Sequence, residues 1–337
     1  MGWRLLPIVG LGLAAACGGS TVPPHLHAAG FSPGRSGSNV IAEFRIRLGI
    51  GSAPFAIAAG NDGAMWFTEE GSSAIGRIDA GGRVRHYPLP TRDAQPRGIV
   101  STGSGDLYFA EHAGPRYATH VARITLRGRI TEWNDSNYMP AGVTPGAGGS
   151  IWFTQNCGGL AQLSHGKVNQ YPLPGIAGET TAIVRAPDGT VWFAEDGTAR
   201  IGRIDARGQL TIFAGLLYDR KYNDLPNAVT VGPDGNLWWT ALESNLIWAT
   251  DLQGRIVHEY PVPTPGSQPW GITAGSDGAL WFTEWSGNKI GRVTTQGVFS
   301  EFPLPTQNAQ PQGIARALDG SLWFVETSAN QIGRIVV

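Results

Sequence analysis

Residues 269–305 read Pro-Trp-Gly-Ile-Thr-Ala-Gly-Ser-Asp-Gly-Ala-Leu-Trp-Phe-Thr-Glu-Trp-Ser-Gly-Asn-Lys-Ile-Gly-Arg-Val-Thr-Thr-Gln-Gly-Val-Phe-Ser-Glu-Phe-Pro-Leu-Pro. Four extended segments are legible in this stretch. Gly271 to Ala274 is an inner strand A, and Ser276-Asp277-Gly278 is a hairpin turn, because Asp-Gly adopts the tight reversal readily. Leu280 to Glu284 is strand B, and Lys289 to Val293 is strand C. A second turn at Gln296-Gly297 leads into the outer strand D, Val298 to Phe302. Pro303-Leu304-Pro305 then takes the chain out of the sheet, where a missing N–H does no harm.

The same phrase recurs seven times. Its strand B cores are Trp66-Phe67-Thr68-Glu69, Tyr108-Phe109-Ala110-Glu111, Trp152-Phe153-Thr154-Gln155, Trp192-Phe193-Ala194-Glu195, Trp238-Trp239-Thr240-Ala241, Trp281-Phe282-Thr283-Glu284 and Trp323-Phe324-Val325-Glu326. Successive spacings of 42, 44, 40, 46, 43 and 42 residues suit a four-stranded propeller blade. The seventh repeat stops at Ile335-Val336-Val337, after strand C, while residues 41–46 match strand D and precede the first strand A. The fold class is therefore all-β: a seven-bladed β-propeller of four-stranded blades over 41–337, its last blade closed by the N-terminal strand. Such closure removes the open sheet edge.

Composition agrees. The chain has 337 residues, 48 of them Gly and 12 Trp, as expected of short aromatic strands between Gly-marked turns. A formal net charge of −1 lacks the basic excess of a nucleic-acid binder, so no nucleic-acid partner is expected. Cys17 and Cys157 are the two cysteines, too few for a disulfide framework. Residues 1–17 have the grammar of a signal peptide: Arg4, a short apolar run, then Ala14-Ala15-Ala16-Cys17-Gly18, which is lipobox-like. Residues 18–40 read as a flexible tether. The expectation is an exported monomer of the bacterial cell envelope, touching membrane only through a lipid anchor on Cys17.

Most repeated residues build the blade. The strand B aromatics are expected to pack between blades, the Arg of Ile-Gly-Arg (Arg77, Arg203, Arg292, Arg334) to meet a strand Glu or a carbonyl, and the Asp-Gly turns to be turn chemistry. Function should sit where the repeats differ. Strands A and B are antiparallel, so the residue before Gly-Ile and the residue after each strand B share one face. The first set reads Phe55, Arg97, Ala141, Thr181, Asn227, Trp270 and Gln312; the second reads Glu70, His112, Asn156, Asp196, Leu242, Trp285 and Thr327. They are expected to ring one mouth of the central channel, a common ligand position. His112 is the histidine nearest that mouth, with Arg97 of the same blade as an electrophilic partner; His86, His165 and His258 fall on outer strands or turns.

The repeat Pro-x-Gly-Ile…Asp-Gly-x-Leu-Trp-Phe-Thr-Glu…Ile-Gly-Arg-Ile…Glu-Tyr-Pro-Leu-Pro resembles the streptogramin B lyase (virginiamycin B lyase) family over essentially all of 41–337. The resemblance implies ring opening of a cyclic depsipeptide ester by elimination, with a base taking a proton and Mg²⁺ stabilising enolate-like charge. It also implies a catalytic His in a Pro-His-Gly-Ile context, two Glu residues holding Mg²⁺, and a substrate-contacting His from the preceding blade. No repeat here has Pro-His-Gly. In the fourth repeat Glu179 and Asp196 take the metal positions, Thr181 stands for the catalytic His and Ala141 for the other His. The expected base is thus missing, and His112 is the candidate to replace it. Trp270, Trp285, Gln312, Asn227 and Thr181 are candidate contacts for a small cyclic peptide or ester. Two other readings remain open: a non-catalytic surface propeller that binds a ligand or protein partner, and a metal-dependent lactone hydrolase.

Overall fold

The computed structural model describes residues 40–46, 51–112, 119–135, 138–156, 159–173, 180–195, 200–213 and 226–337. Among the described residues twenty-eight strands form seven four-stranded antiparallel sheets, and six of these run A-B-C-D in chain order. The seventh joins Pro311–Arg316, Leu322–Glu326 and Gln331–Ile335 to the N-terminal Ile41–Arg45, which pairs with the last strand from Ile41↔Ile335 to Arg45↔Gln331. In the sixth blade the strands are Pro269–Ala274, Leu280–Glu284, Lys289–Val293 and Phe299–Pro303. Strand A begins two residues before the expected start, and strand D is shifted by one so that it ends on Pro303. None of the described helices is long and apolar enough to cross a membrane.

Each strand B points its two aromatics to opposite sides, and this alternation welds the ring. Trp66 of blade 1 packs with Phe109 of blade 2, Trp192 of blade 4 with Trp239 of blade 5, and Trp281 of blade 6 with Phe324 of blade 7. Trp323 of blade 7 meets Phe67 of blade 1 and closes the circle. The Gly of Ile-Gly-Arg follows from this packing. A Cβ on Gly291 would lie 2.1 Å from the Phe282 ring.

Arg77, Arg292 and Arg334 pair with Asp62, Asp277 and Asp319 of the A–B turn, not with a strand Glu; Arg203 donates to the Leu252 carbonyl. Each guanidinium also lies over the strand B Trp, as Arg292 does over Trp281 at 5.9 Å. The turn Asp is reused once more, accepting from the indole N–H of Trp66, Trp238 or Trp281.

The Thr of Trp-Phe-Thr has a different task. Thr283 accepts from the Gly271 amide at 2.9 Å and donates to the Gln312 carbonyl of the next blade at 2.7 Å. Thr240 does the same between Ala228 and Trp270. Thr283→Val keeps the shape and strands a buried donor and acceptor. A loss of about 1–3 kcal/mol per stranded group is expected by denaturant titration.

Strand B ends in a buried acid in several blades. Glu284 faces Glu301, and Glu326 faces Glu43. Burial first, then the second carboxylate, pushes both Glu284 and Glu326 up to about 8 from an ordinary 4.5. The folded protein therefore holds protons the unfolded chain releases. Their stabilising contribution is complete below about pH 4.5 and is lost as the pH rises through about 8. Melting temperature should fall between pH 5.5 and pH 8.5, and Glu326→Gln should flatten that fall.

Candidate functional site

All seven A–B pairs carry the same irregularity. The register slips at the start of strand A, between Pro54 and Ile57 in blade 1 and between Pro269 and Ile272 in blade 6. Such a bulge releases a residue from the ladder and re-aims its side chain. The residue before the bulge proline is left-handed in five blades: Ala53, Gln95, Met139, Gln268 and Gln310 have φ of 43 to 54°. That backbone turns their carbonyls onto the amides of Glu70, His112, Asn156, Trp285 and Thr327. Non-glycine residues reach this region only when the surroundings hold them there, and such strain clusters at functional sites.

The bulges enclose a cavity of about 380 Å³ to which all seven inner strands contribute. Six of the seven first-ring positions line it: Phe55, Arg97, Ala141, Thr181, Asn227 and Trp270. At the seventh, Gly313 lines the wall while Gln312 is buried, its side-chain amide 3.0 Å from the Thr327 hydroxyl. The wall is mixed in character. Arg97 lies over the Phe55 ring at 5.5 Å, Phe55 meets Trp270 edge-on at 6.5 Å, and Trp270 tilts against Trp285 at 6.0 Å. Asn227 donates to the Trp270 carbonyl and Thr181 to the Pro226 carbonyl, so each is tied to the next blade. Small third positions allow the inner strands to approach: a Cβ on Gly271 would stand 2.5 Å from the Gln312 carbonyl.

The second ring sits further back than the sequence suggests. His112 is buried, with Nδ1 3.2 Å from the Pro140 carbonyl and Nε2 3.3 Å from the Asn156 amide nitrogen. The carbonyl can only accept and the amide donates, so the ring is the neutral Nδ1–H tautomer with its Nε2 lone pair toward Asn156. Burial, and then the Arg97 charge, hold its pKa down at about 4. Thr327 makes the equivalent inter-blade bond, to the Pro54 carbonyl at 2.6 Å. Arg97 itself is paired with Glu70 of the preceding blade at 3.2 Å, rather than standing free beside His112.

Glu179 and Asp196 lie outside the described residues, as do Cys17 and Cys157. Their neighbours Thr180 and Glu195 are directly opposite each other in the A–B pair of blade 4. Glu195 is itself engaged by Arg200 at 2.8 Å.

Two histidines that sequence reading passed over are structurally committed. His86 bonds the buried Glu69 at 2.6 Å, and His120 bonds the buried Glu111 at 3.0 Å. Both face inward from strands C or D toward the acid that ends strand B. The signal was available in the strand alternation, but it required the register between strands.

Seven blades, closed by the N-terminal strand around a cavity that six of them line with a variable residue, define a β-propeller with a mouth pocket. The chain belongs to the virginiamycin B lyase family, whose sequence profile matches residues 34–136 and 134–337. A virginiamycin B lyase of Nocardia farcinica is 29% identical over 187 residues, 55% of this chain and 62% of that protein, so the aligned part spans less than two thirds of the relative. Among solved structures, a streptogramin B lyase superposes with a TM-score of 0.81 at 32% identity, covering 88% of this chain and 97% of that one. A catalytically inactive histidine-to-alanine variant of virginiamycin B lyase from Staphylococcus aureus, solved with quinupristin, gives 0.79 at 31% identity over 88% and 100%.

Proposed function

We propose that this chain is a carbon–oxygen lyase that holds a cyclic depsipeptide in the mouth pocket and opens its ester by elimination. The observation that carries this reading is the cavity of about 380 Å³ lined at six of the seven variable ring positions, in a chain of the lyase family. Pockets of this size with aromatic walls and a few polar groups suit small-molecule ligands. Trp270 and Phe55 offer ring faces, while Asn227, Thr181 and Arg97 offer polar contacts; Trp285 backs Trp270, and Gln312 is turned to Thr327 outside the wall.

In this reading His112 is the base. Its neutral Nε2 reaches substrate only if the Asn156 amide swings aside, and it would then take the proton from the carbon next to the one bearing the ester oxygen. The C–O bond then breaks, a C=C bond forms, and the carboxylate leaves with the electron pair; no water is consumed. Arg97 stabilises the negative charge that develops. Mg²⁺ is the metal this family reading calls for, and Glu179 with Asp196 would hold it, supplying Lewis-acid stabilisation of the enolate-like charge. The pairing of Thr180 with Glu195 supports that assignment, because the two acids flank this pair in sequence. Export through residues 1–17 and acylation at Cys17 belong to the same proposal, which puts the mouth at the cell envelope.

Incubation with quinupristin, followed by liquid chromatography and mass spectrometry, tests it. A product of unchanged mass and new retention time is expected. No product of any mass at high enzyme concentration would overturn the proposal in favour of a binding propeller.

A further inference from the structure

Strand B of blade 2 (Leu107–Glu111) ends on Glu111, strand C (His120–Ile124) begins opposite it with His120, and strand D (Ile130–Asn134) places Glu132 beside both. One potential ligand atom from each of Glu111, His120 and Glu132 lies within 4.8 Å of the others. Tetrahedral zinc with bonds near 2 Å needs ligand atoms about 3.3 Å apart, so a small inward movement of side chains would complete the set. Glu111 is fully buried, and its Oε1 has no hydrogen-bond partner, although Oε2 meets His120 Nδ1 at 3.0 Å. Close by, Asp135 is also buried with Oδ2 unpartnered, and its charge is felt at His120. A buried carboxylate oxygen left bare is costly, and protonation or a bound cation relieves it.

In blades 6 and 7 the strand B acids Glu284 and Glu326 are likewise buried with both carboxylate oxygens unpartnered, and a raised pKa keeps them protonated. In blade 6, Lys289 bonds Glu301 at 2.7 Å beside Glu284, and Thr264 donates to Glu301 at 2.7 Å. In blade 7, Gln331 occupies the Lys289 position and Thr306 donates to Glu43 at 2.7 Å. In blade 2 the Thr is retained as Thr91, whose hydroxyl lies 3.3 Å from Glu132 and 3.5 Å from His120 Nδ1. Here the ammonium is replaced by an imidazole, the side chain best suited to a transition metal among carboxylates.

We propose that Glu111, His120 and Glu132 form a divalent transition-metal site of the zinc class inside blade 2, with water in the fourth position. The ion ties strands B, C and D together behind His112. The site shares no residue with the Glu179 and Asp196 pair and does not depend on the lyase reading.

Full-length protein freed of metal with a chelator is titrated with ZnCl₂ by calorimetry, alongside Glu132→Gln, His120→Gln and the blade 6 control Glu301→Gln. One equivalent should bind to wild type and to the control. Each blade 2 variant should weaken binding by more than about 100-fold, beyond the roughly 10–100-fold that loss of an outer partner costs a metal site. Co²⁺ should give a tetrahedral visible spectrum in wild type that both blade 2 variants lose. No stoichiometric binding by the folded wild type would overturn the site. So would binding that Glu132→Gln and His120→Gln both leave unchanged.

Discussion

Glutamine in place of His112 is expected to lower kcat for depsipeptide opening by about 10²–10⁴-fold, the usual worth of a positioned general base. Glutamine can still bond the Pro140 carbonyl, so the inter-blade clip survives and ligand affinity, read from quenching of Trp270 and Trp285 fluorescence, should change little. The wild-type rate should be flat at neutral pH and fall as the pH drops through about 4, where the His112 imidazole takes up a proton. A purely structural His112 would lower the melting temperature without imposing that acid limb on kcat. The low pKa carries a chemical cost as well, since a weakly basic imidazole is a slow base.

Trp281→Ala should destabilise the propeller by about 3–5 kcal/mol, the range for removing a buried Trp or Phe. Trp281 is fully buried between blades 6 and 7 and stacks on Phe302 at 5.3 Å. Its indole N–H bonds Asp277, and Arg292 lies over its face. The substitution thus opens a cavity and also leaves the turn Asp and the Arg without their aromatic partner. Chemical denaturation followed by far-ultraviolet circular dichroism measures the loss. A cost under about 1 kcal/mol would contradict the alternating Trp and Phe weld described for the ring.

The blade was readable because each of its parts answers to a local rule. Asp277-Gly278 makes its turn through neighbouring backbone, Trp281-Phe282-Thr283 alternates with period two, and the 40 to 46 residue spacing repeats. Closure was readable because the last repeat lacks a strand that residues 41–46 supply. The variable first ring was equally legible, since strand pairing carries Phe55, Arg97, Ala141, Thr181, Asn227 and Trp270 to the same cavity. What escaped depends on contacts between segments distant in sequence. That Arg77 would choose Asp62 over a strand Glu follows from register, and the Thr283 bond to the Gln312 carbonyl needs the neighbouring blade. The burial of His112 behind the first ring needs Pro140 and Asn156, 28 and 44 residues away. His120 gave no sign of its acid neighbours until strands B, C and D were paired.

The central claim is ring opening by elimination at the mouth, and product analysis in H₂¹⁸O tests it most directly. Quinupristin is incubated with the full chain and Mg²⁺ in ¹⁸O-enriched water, and the product is weighed. Elimination predicts an opened ring of unchanged mass with no ¹⁸O incorporated. A product heavier by one labelled water would mean hydrolysis of the ester and would contradict the lyase account.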